Sequence, residues 1–273
     1  MAAMRYPRTK KQDQPAVIKP NPAVQLVILH EDADLLVVYK PAGLVSQPGL
    51  GHTTDALLNG LFATHGNLLR NMGAARDWGM LHRLDKPTSG LLVVALRPKA
   101  YDLLREEFEQ RRVMKEYLAL VRGKPVPPQG VIQARLKEVL ATVKKVIISR
   151  AGQEAISAYQ VISGNEFASL VSIKIKTGRL HQIRAHMMFL GNPVLGDDLY
   201  GINTKHPTKA PGVPRLCLHC LKLGFRHPVR NAWIEFTAPL PPDLAATAKK
   251  FNLTVPTEYL PKAAPAAKPT AVE

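Results

Sequence analysis

The chain has 273 residues, of which 46% are hydrophobic, so it can bury a core in one large domain or in two modest ones. Lysine and arginine total 37 against 21 acidic residues, which gives a formal net charge of +16 at pH 7. This excess favours a polyanionic partner, nucleic acid above all, because each cation placed near a phosphate releases condensed counterions. A basic protein without such a partner, or basic tails on a neutral domain, is the alternative.

The sequence carries no targeting or membrane signal. No apolar run reaches the roughly 18 residues of a membrane span, and the N-terminus lacks the apolar core of a signal peptide. The two cysteines, Cys217 and Cys220, have no second Cys or His pair at zinc-site spacing, and their small number fits a reducing cytosol. We therefore expect a soluble cytoplasmic protein whose cysteines pack within a strand.

The two ends differ in composition from the rest of the chain. Residues 1–23 are polar, basic and proline-containing, which predicts a flexible arm. Residues 254–273 become a low-complexity Ala/Pro/Lys segment, which predicts a disordered tail. The domain between them is expected to span residues 24–253.

The first half of this domain alternates between strand and helix signals. Two β-branched apolar runs predict a hairpin at 24–30 and 35–40. A helix is predicted over 54–65, with Thr53 or Thr54 as its cap, and a buried strand over 90–96. Pro98 opens a helix to about residue 112, on which Leu104 and Phe108 share one face.

Strands dominate the second half. The pattern predicts strands at 114–121, 130–138, 142–149, 154–162, 167–176, 215–225 and 232–236, and helices at 180–190 and 241–251. Many strands without strict strand–helix alternation predict an α+β fold with a mixed, largely antiparallel sheet and flanking helices. Because no Gly-rich phosphate loop, dinucleotide fingerprint or zinc-protease helix is present, we expect neither a nucleotide cofactor nor a metal.

The most informative stretch is 82–90, which reads HRLDKPTSG and precedes the buried strand. It places Arg83 and Asp85 two residues apart on a short irregular segment. By itself Asp85 is better explained as a turn or capping residue. A chemical role depends on partners elsewhere in the chain.

A second basic motif supplies such a partner. Residues 177–186 read TGRLHQIRAH and open a helix with an apolar stripe at Ile183, Met187 and Leu190. Arg184 flanks this stripe, and a partly buried arginine requires an anion, for which Asp85 is the candidate. Arginine keeps a carboxylate ionised and oriented, as a nucleophile requires. A plain buried salt bridge is the alternative.

Two further positions have open interpretations. Tyr117 lies on the same strand face as Ala119 and Val121, and is either a core residue or an aromatic surface under a base. Lys40 ends a strand before Pro41, and is either a phosphate contact or a solvated lysine. His82, His181 and His186 are expected to pack and to form hydrogen bonds.

Taken together, these motifs resemble those of the RluA-type family of RNA pseudouridine synthases. The resemblance covers about residues 25–240 and rests on ordered motifs: KPAG at 40–43, HRLDKPTSG at 82–90, KEY at 115–117, GRLHQIRAH at 178–186, GNPVLGDDLYG at 191–201, LH at 218–219 and FRHP at 225–228. The arginine motif HQIR favours this branch over the small-subunit class.

The resemblance implies a role for each matching residue. Asp85 matches the catalytic aspartate, and Tyr117 matches the tyrosine that contacts the target ring and can take the proton from carbon 5. Arg184 matches the arginine paired with the aspartate, and Ile183 the aliphatic residue near the base. Arg83 matches the arginine that enters the RNA stack vacated by the flipped uridine.

Lys40 and Arg179 are assigned as further RNA contacts. Leu180 departs from the Thr or Ser usual in the family, and we expect it to alter local hydrogen bonding but not to abolish activity.

The implied protein is an isomerase that converts uridines of ribosomal or transfer RNA, acts as a monomer and uses no cofactor or metal. The chemistry agrees, since isomerising a uridine requires an extruded base and a site that excludes water. An RNA chaperone with the same fold, or a glycosidase lacking an evident second acid, are the alternatives.

Overall fold

The computed structural model of the protein describes residues 17–140, 144–201 and 213–261, and ten strands in these ranges form one sheet. In chain order the strands are β1 Val27–Glu31, β2 Leu35–Lys40, β3 Ser89–Ala95, β4 Met114–Arg122, β5 Gln129–Leu140, β6 Lys144–Ile148, β7 Gln153–Gly164, β8 Ala168–Ile175, β9 Leu218–Arg226 and β10 Trp233–Thr237. The helices are α1 Leu57–Met72, α2 Pro98–Glu109, α3 Gln182–Phe189 and α4 Pro242–Lys250, with short 3-10 turns at Ala74–Gly79 and Thr257–Tyr259.

The spatial order of the strands is β1-β2-β3-β9-β4-β8-β7-β5-β6, and β10 pairs with the free part of β9. Among the paired strands only β3 and β9 run parallel, and they meet over two residue pairs. The remaining pairs are antiparallel. The predicted α+β fold with a mixed, largely antiparallel sheet is thereby confirmed.

The parallel contact brings the segment before β3 to the middle of the sheet. All seven residues of β3 are buried, as the unbroken apolar run predicted. Gly90 allows the close approach of β9, because its φ is +123° and a Cβ there would lie 2.3 Å from the Cys220 carbonyl oxygen. A glycine is therefore required where β3 begins.

The helices follow the predicted pattern, apart from their ends. Helix α2 begins at Pro98, and Leu104 and Phe108 are buried on one face, which confirms the prediction. Helix α1 is longer than predicted and is kinked at His65. Its N-cap is Ala56, whose amide donates to the side-chain oxygen of Asn59 (3.0 Å), so the prediction of Thr53 or Thr54 as cap was wrong.

Parts of both predicted tails pack on the domain in the ranges that the structure describes. Ile18 is 3% exposed and packs in the main core, so residues 17–23 belong to the domain. Residues 254–261 also pack on it: the Thr254 amide donates to Ser163, and the Leu240 amide donates to the Tyr259 carbonyl (2.7 Å). The rest of the predicted arm (1–16) and tail (262–273) lies outside the described residues.

The cysteines lie at the centre of the sheet. Cys220 is in β9 and Cys217 immediately precedes it; both are fully buried free thiols. This agrees with the prediction of core cysteines. None of the described helices is long and apolar enough to cross a membrane.

Candidate active site

The segment that carries Asp85 is irregular but firmly held. The Ser46 hydroxyl donates to the Leu84 carbonyl (2.9 Å) and accepts a hydrogen bond from the Leu84 amide (3.1 Å). The Lys86 carbonyl accepts from the Gly43 amide (2.8 Å). Because contacts on both sides of Asp85 fix the backbone, its carboxylate has a defined position without belonging to a helix or strand.

Asp85 itself lies at the edge of the buried region. Its side chain is 18% exposed, and one carboxylate oxygen, Oδ2, lies 3.4 Å from Nη1 of Arg184 and 3.8 Å from Nε2 of His181. The structure thus brings together Asp85 and Arg184, which are 99 residues apart in sequence. A partly exposed carboxylate next to a buried cation can face a substrate and remain oriented.

The closest anion to Arg184, however, is Asp197. Nε and Nη2 of Arg184 each donate to one Asp197 oxygen at 2.8 Å, and Arg184 and Asp197 are 4% and 0% exposed. We expected Asp85 to be the anionic partner of the buried arginine; the structure makes it the second and more distant one. Burial opposes the charge on Arg184, but the two aspartates outweigh it and raise its pKa.

The loop after α3 completes this arrangement. Asp197 also accepts hydrogen bonds from the amides of Leu199 and Tyr200, each 2.9 Å long, and the Tyr200 ring centroid lies 5.2 Å from Cζ of Arg184. The guanidinium is therefore held between a carboxylate and an aromatic face. Both residues lie in the motif 191–201, so the motif was the available signal, although no role had been assigned to either.

A buried polar network holds α3 on the sheet. The Gln182 side-chain oxygen accepts from the Thr177 hydroxyl (2.7 Å), and its amide nitrogen donates to the Ile156 carbonyl and the Ser157 hydroxyl, both at 3.0 Å. The same hydroxyl pairs with Nδ1 of His186 (2.9 Å). Because the contacts with Ile156 and Ser157 fix α3 against β7, the network indirectly fixes Arg184.

Tyr117 lies on β4 and points into the protein interior. It is 6% exposed and belongs to the main core cluster. Burial raises the pKa of its phenol well above the ordinary value, and Cys220 and Asp85 act in the same direction. The influence of Asp85 places the two side chains within electrostatic reach, and the hydroxyl remains protonated at neutral pH.

The three histidines stay neutral near pH 7. Burial lowers the pKa of His82 to about 3 and that of His186 to about 4. His82 accepts from the Val93 amide (3.2 Å). Burial also lowers the pKa of His181, whose Nδ1 pairs with the Tyr200 hydroxyl (3.2 Å). All three pack and form hydrogen bonds, as predicted.

The remaining predicted site residues differ in how far they are exposed. Arg83 is exposed and has no hydrogen bond or ion pair within the described ranges. Ile183 is 5% exposed and packs in the main core. Arg179 is half-buried, and its side-chain Nε donates to the Glu154 carbonyl (3.1 Å). Arg83 is thus the predicted RNA contact with the most accessible charge.

Lys40 does not fit the predicted phosphate contact. It is fully buried, and its ammonium donates to the carbonyls of Pro41 (2.8 Å), Leu44 (2.7 Å) and Lys86 (3.2 Å). Burial lowers its pKa to about 7, against the opposing effect of Asp85. With all three hydrogens donated, Lys40 joins the turn that follows β2 to the segment that carries Asp85, and neither expected role describes it.

One group of potential metal ligands occurs among the described residues, at the turn between β1 and β2. It comprises Asp32, Asp34 and His227, whose ligand atoms lie within 4.8 Å of one another. Arg230 already places Nη2 2.8 Å from an Asp32 oxygen, and Nε2 of His227 lies 2.9 Å from the same atom. The group is explained as an ion-pair cluster that joins this turn to the β9–β10 hairpin.

Comparison with known proteins identifies the family of this chain. The family described as RNA pseudouridylate synthase matches residues 34–188, a range that contains Asp85, Tyr117 and Arg184. The chain belongs to this family. It is an RNA pseudouridine synthase of the RluA type and therefore an isomerase.

Individual relatives are similar in sequence to this chain over most of its length. An uncharacterised RNA pseudouridine synthase of Bacillus subtilis is 37% identical over 241 residues, covering 85% of this chain and 78% of the relative. The ribosomal large subunit pseudouridine synthase D of Nitrosomonas europaea is 38% identical over 227 residues, covering 82% and 64% respectively.

Solved structures show the same fold. The human RNA pseudouridylate synthase domain containing 4 superposes with a TM-score of 0.66 at 27% identity, covering 84% of this chain and 94% of that chain. The human domain-containing protein 1 gives 0.63 at 28% identity, covering 84% and 89%.

Proposed function

We propose that this synthase isomerises specific uridines in ribosomal or transfer RNA, with Asp85 as the catalytic carboxylate. The observation that supports this most is the placement of Asp85: partly exposed at the centre of the sheet, beside the buried pair Arg184–Asp197 and within electrostatic reach of Tyr117. Arg184 positions the carboxylate, and its own orientation is secured by Asp197.

In the proposed reaction the bond between N1 of uracil and C1′ of ribose breaks, and its electron pair stays on the ring. The ring rotates within the site, a bond forms between C5 and C1′, C5 loses a proton and N1 gains one. Atoms and electrons balance without a redox partner or cofactor. The buried wall around Tyr117 keeps the detached ring from water.

Tyr117 supports the target ring in this scheme, and its hydroxyl assists removal of the C5 proton. Because its pKa is raised, the phenol serves as a protonated relay and not as a standing phenolate base. Ile183 contributes an apolar surface beside the base.

Arg83 is proposed to fill the RNA stack that the flipped uridine leaves. It is exposed two residues from Asp85, so it can enter the helix while the carboxylate contacts the extruded nucleotide. The net charge of +16 supports RNA binding through phosphates.

The substrate proposal follows the relatives, several of which are named ribosomal large subunit pseudouridine synthase D. Large-subunit ribosomal RNA is therefore the first substrate to test, and transfer RNA the second. We also propose that the protein acts in the cytoplasm, as a monomer and without cofactor or metal.

The decisive experiment maps pseudouridine across total RNA with and without the gene, and then complements the deletion with wild type or Asp85→Asn. We expect sites that disappear on deletion and return only with wild type, while Asp85→Asn still binds the RNA. Full activity of Asp85→Asn would refute the assignment of Asp85. If deletion removes no pseudouridine from any RNA, the protein acts instead as an RNA-binding module.

A further inference from the structure

Lys115 is a buried cation whose role the mechanism above does not explain. It lies on β4 two residues before Tyr117, so the two side chains share the face of the strand that contributes to the site. Lys115 is 6% exposed, as is Tyr117. The side chain therefore ends inside the protein, on the same side of the sheet as the catalytic tyrosine.

The surroundings of the ammonium hold no anion within the described residues. Nζ lies 5.3 Å from the centroid of the Phe108 ring, and the Cys220 thiol is within electrostatic reach. A Cβ added to Gly178 would lie 3.9 Å from Nζ, so the segment leading to α3 passes close by. The charge lowers the pKa of His82, which shows that this ring is also near.

Comparison with Lys40 shows how unusual this is. Both lysines are buried, but the ammonium of Lys40 donates to three carbonyls, whereas no hydrogen bond from Lys115 is found in the part of the chain that the structure describes. Nor is Nζ of Lys115 among the fully enclosed polar atoms without a partner, which are Trp78 Nε1, Thr88 Oγ1, Glu107 Oε2 and His186 Nε2. Its ammonium is thus not completely enclosed.

Such a group is costly unless an anion joins it. Burial lowers the pKa of Lys115 to about 8, so the side chain remains mostly charged at pH 7. A buried charge without a counterion destabilises the folded protein. A negative charge that binds next to it is therefore stabilised by the electrostatic attraction. Gly178 is exposed and lies beside the ammonium, so the ammonium is close to the protein surface on this side.

We propose that the Lys115 ammonium binds a carbonyl oxygen of the flipped uracil and stabilises the negative charge that the ring acquires when the N1–C1′ bond breaks. This inference rests on the function proposed above. The electron pair of that bond spreads onto the ring oxygens and returns to the ring carbon when the C5–C1′ bond forms, so Lys115 neither gains nor loses a proton. Its contribution is electrostatic.

Burial favours the ring over a backbone phosphate as the ligand. The phosphate of a continuous RNA chain is flanked by ribose on both sides and stays near the surface, whereas the base is the end of the extruded nucleotide and enters deepest. Lys115, at 6% exposure, lies at such a depth. Tyr117, which shares this face of β4 with Lys115, is the side chain proposed to support the ring.

The test compares Lys115→Met with Lys174→Met in the purified full-length protein, on an RNA that the wild type modifies. Lys174 lies on the neighbouring β8 with a side chain that is 62% exposed, and serves as the control. We expect the single-turnover rate of Lys115→Met to fall by at least about 100-fold. Its RNA affinity should stay within about threefold, and its melting temperature should not fall, because methionine removes an unpaired buried charge.

Three results would overturn the inference. A phosphate contact would instead be identified by weaker RNA binding with an unchanged single-turnover rate. The slope of the logarithm of the binding constant against the logarithm of the salt concentration would then also be smaller by about one. An unchanged rate and affinity would show a packing role. A lower melting temperature with proportionate loss of all functions would do the same.

Two further variants keep the test informative. If Lys115→Met does not fold, Lys115→Gln is measured, which can donate a hydrogen bond but lacks the charge and should remain slow. Lys115→Arg, which keeps the charge, should recover part of the rate. A wild-type protein that forms no pseudouridine on any RNA would refute the proposed function, whereas full activity of the variants refutes only the role of Lys115.

Discussion

Arg184 donates two hydrogen bonds of 2.8 Å to Asp197 and one of 3.4 Å to Asp85, so the buried arginine is anchored to one aspartate and oriented towards the other. The anchor is fully buried, and the second aspartate is partly exposed. This difference separates a structural carboxylate from one that can reach a substrate. It also gives the first prediction.

Replacing Asp197 with Asn should slow catalysis although Asp197 does not reach the substrate. Removing one partner of a buried ion pair costs about 3–5 kcal/mol of stability. Arg184 is then free to turn fully to Asp85 and change its orientation. We expect a lower melting temperature and a single-turnover rate at least tenfold lower, with RNA affinity nearly unchanged.

Asp198 provides the matched control for this change. It is the next residue, its side chain is 77% exposed, and its oxygen lies 3.6 Å from Nη2 of Arg184. Asp198→Asn should leave stability and rate within about twofold of wild type, because exposed ion pairs contribute little. Equal effects of the two substitutions would contradict the anchoring role of Asp197.

Replacing Tyr117 with Phe tests the hydroxyl separately from the ring. The hydroxyl is buried and its pKa is raised, so it acts as a protonated group. Its loss should reduce product formation by about 10²- to 10⁴-fold, the usual contribution of a positioned proton-transfer group. RNA affinity and melting temperature should change little, since the ring remains. Full activity of Tyr117→Phe would limit this residue to supporting the base.

Replacing Gly90 with Ala should destabilise the middle of the sheet. The added Cβ would lie 2.3 Å from the Cys220 carbonyl oxygen, and the φ of +123° is unfavourable for alanine. We expect a loss of more than about 2 kcal/mol in the free energy of unfolding, measured by urea denaturation. Gly49→Ala is the control, because a Cβ at Gly49 meets nothing within 4 Å. Similar losses in both variants would refute this explanation.

Asp32 should make the stability of the protein sensitive to acid. Burial by itself raises the pKa of this carboxyl, but hydrogen bonds from two backbone amides and two histidines outweigh it and hold the pKa well below its ordinary value. A lowered folded-state pKa stabilises the protein above the unfolded value of about 3.8, and this stabilisation is lost as the pH falls below it.

The melting temperature of Asp32→Asn should therefore lie below that of wild type at pH 7, and the difference should shrink as the pH falls below about 4. Asp102→Asn, whose side chain is 56% exposed, is the control and should show little difference at any pH. A gap between Asp32→Asn and wild type that stays constant down to pH 3 would contradict the argument.

Local sequence patterns were sufficient for most of the strands and helices. The alternating run at Met114–Arg122, the unbroken apolar run at Ser89–Ala95 and the proline-initiated helix at Pro98–Glu109 each correspond to an element in the structure. Periodicity reports which side chains face the core, and this is a property of neighbouring residues. The ordered motifs likewise indicated Asp85, Tyr117 and Arg184 before any contact was known.

Pairing between distant residues was decided by the tertiary structure. Sequence pointed to Asp85 as the partner of Arg184, but the fold places Asp197 closer. The sequence alone likewise left Lys40 as either a phosphate contact or a solvated residue, whereas the fold buries it under three carbonyls.

The physical reason is that charge and residue type are local, whereas burial and the direction of a side chain depend on every element packed around it. Composition and motifs determined that this chain is a basic RNA pseudouridine synthase, and they pointed to Asp85, Tyr117 and Arg184 as candidate site residues. Only the folded arrangement decided which carboxylate is enclosed and which is open, and that Lys115 carries a buried charge with no anion among the described residues.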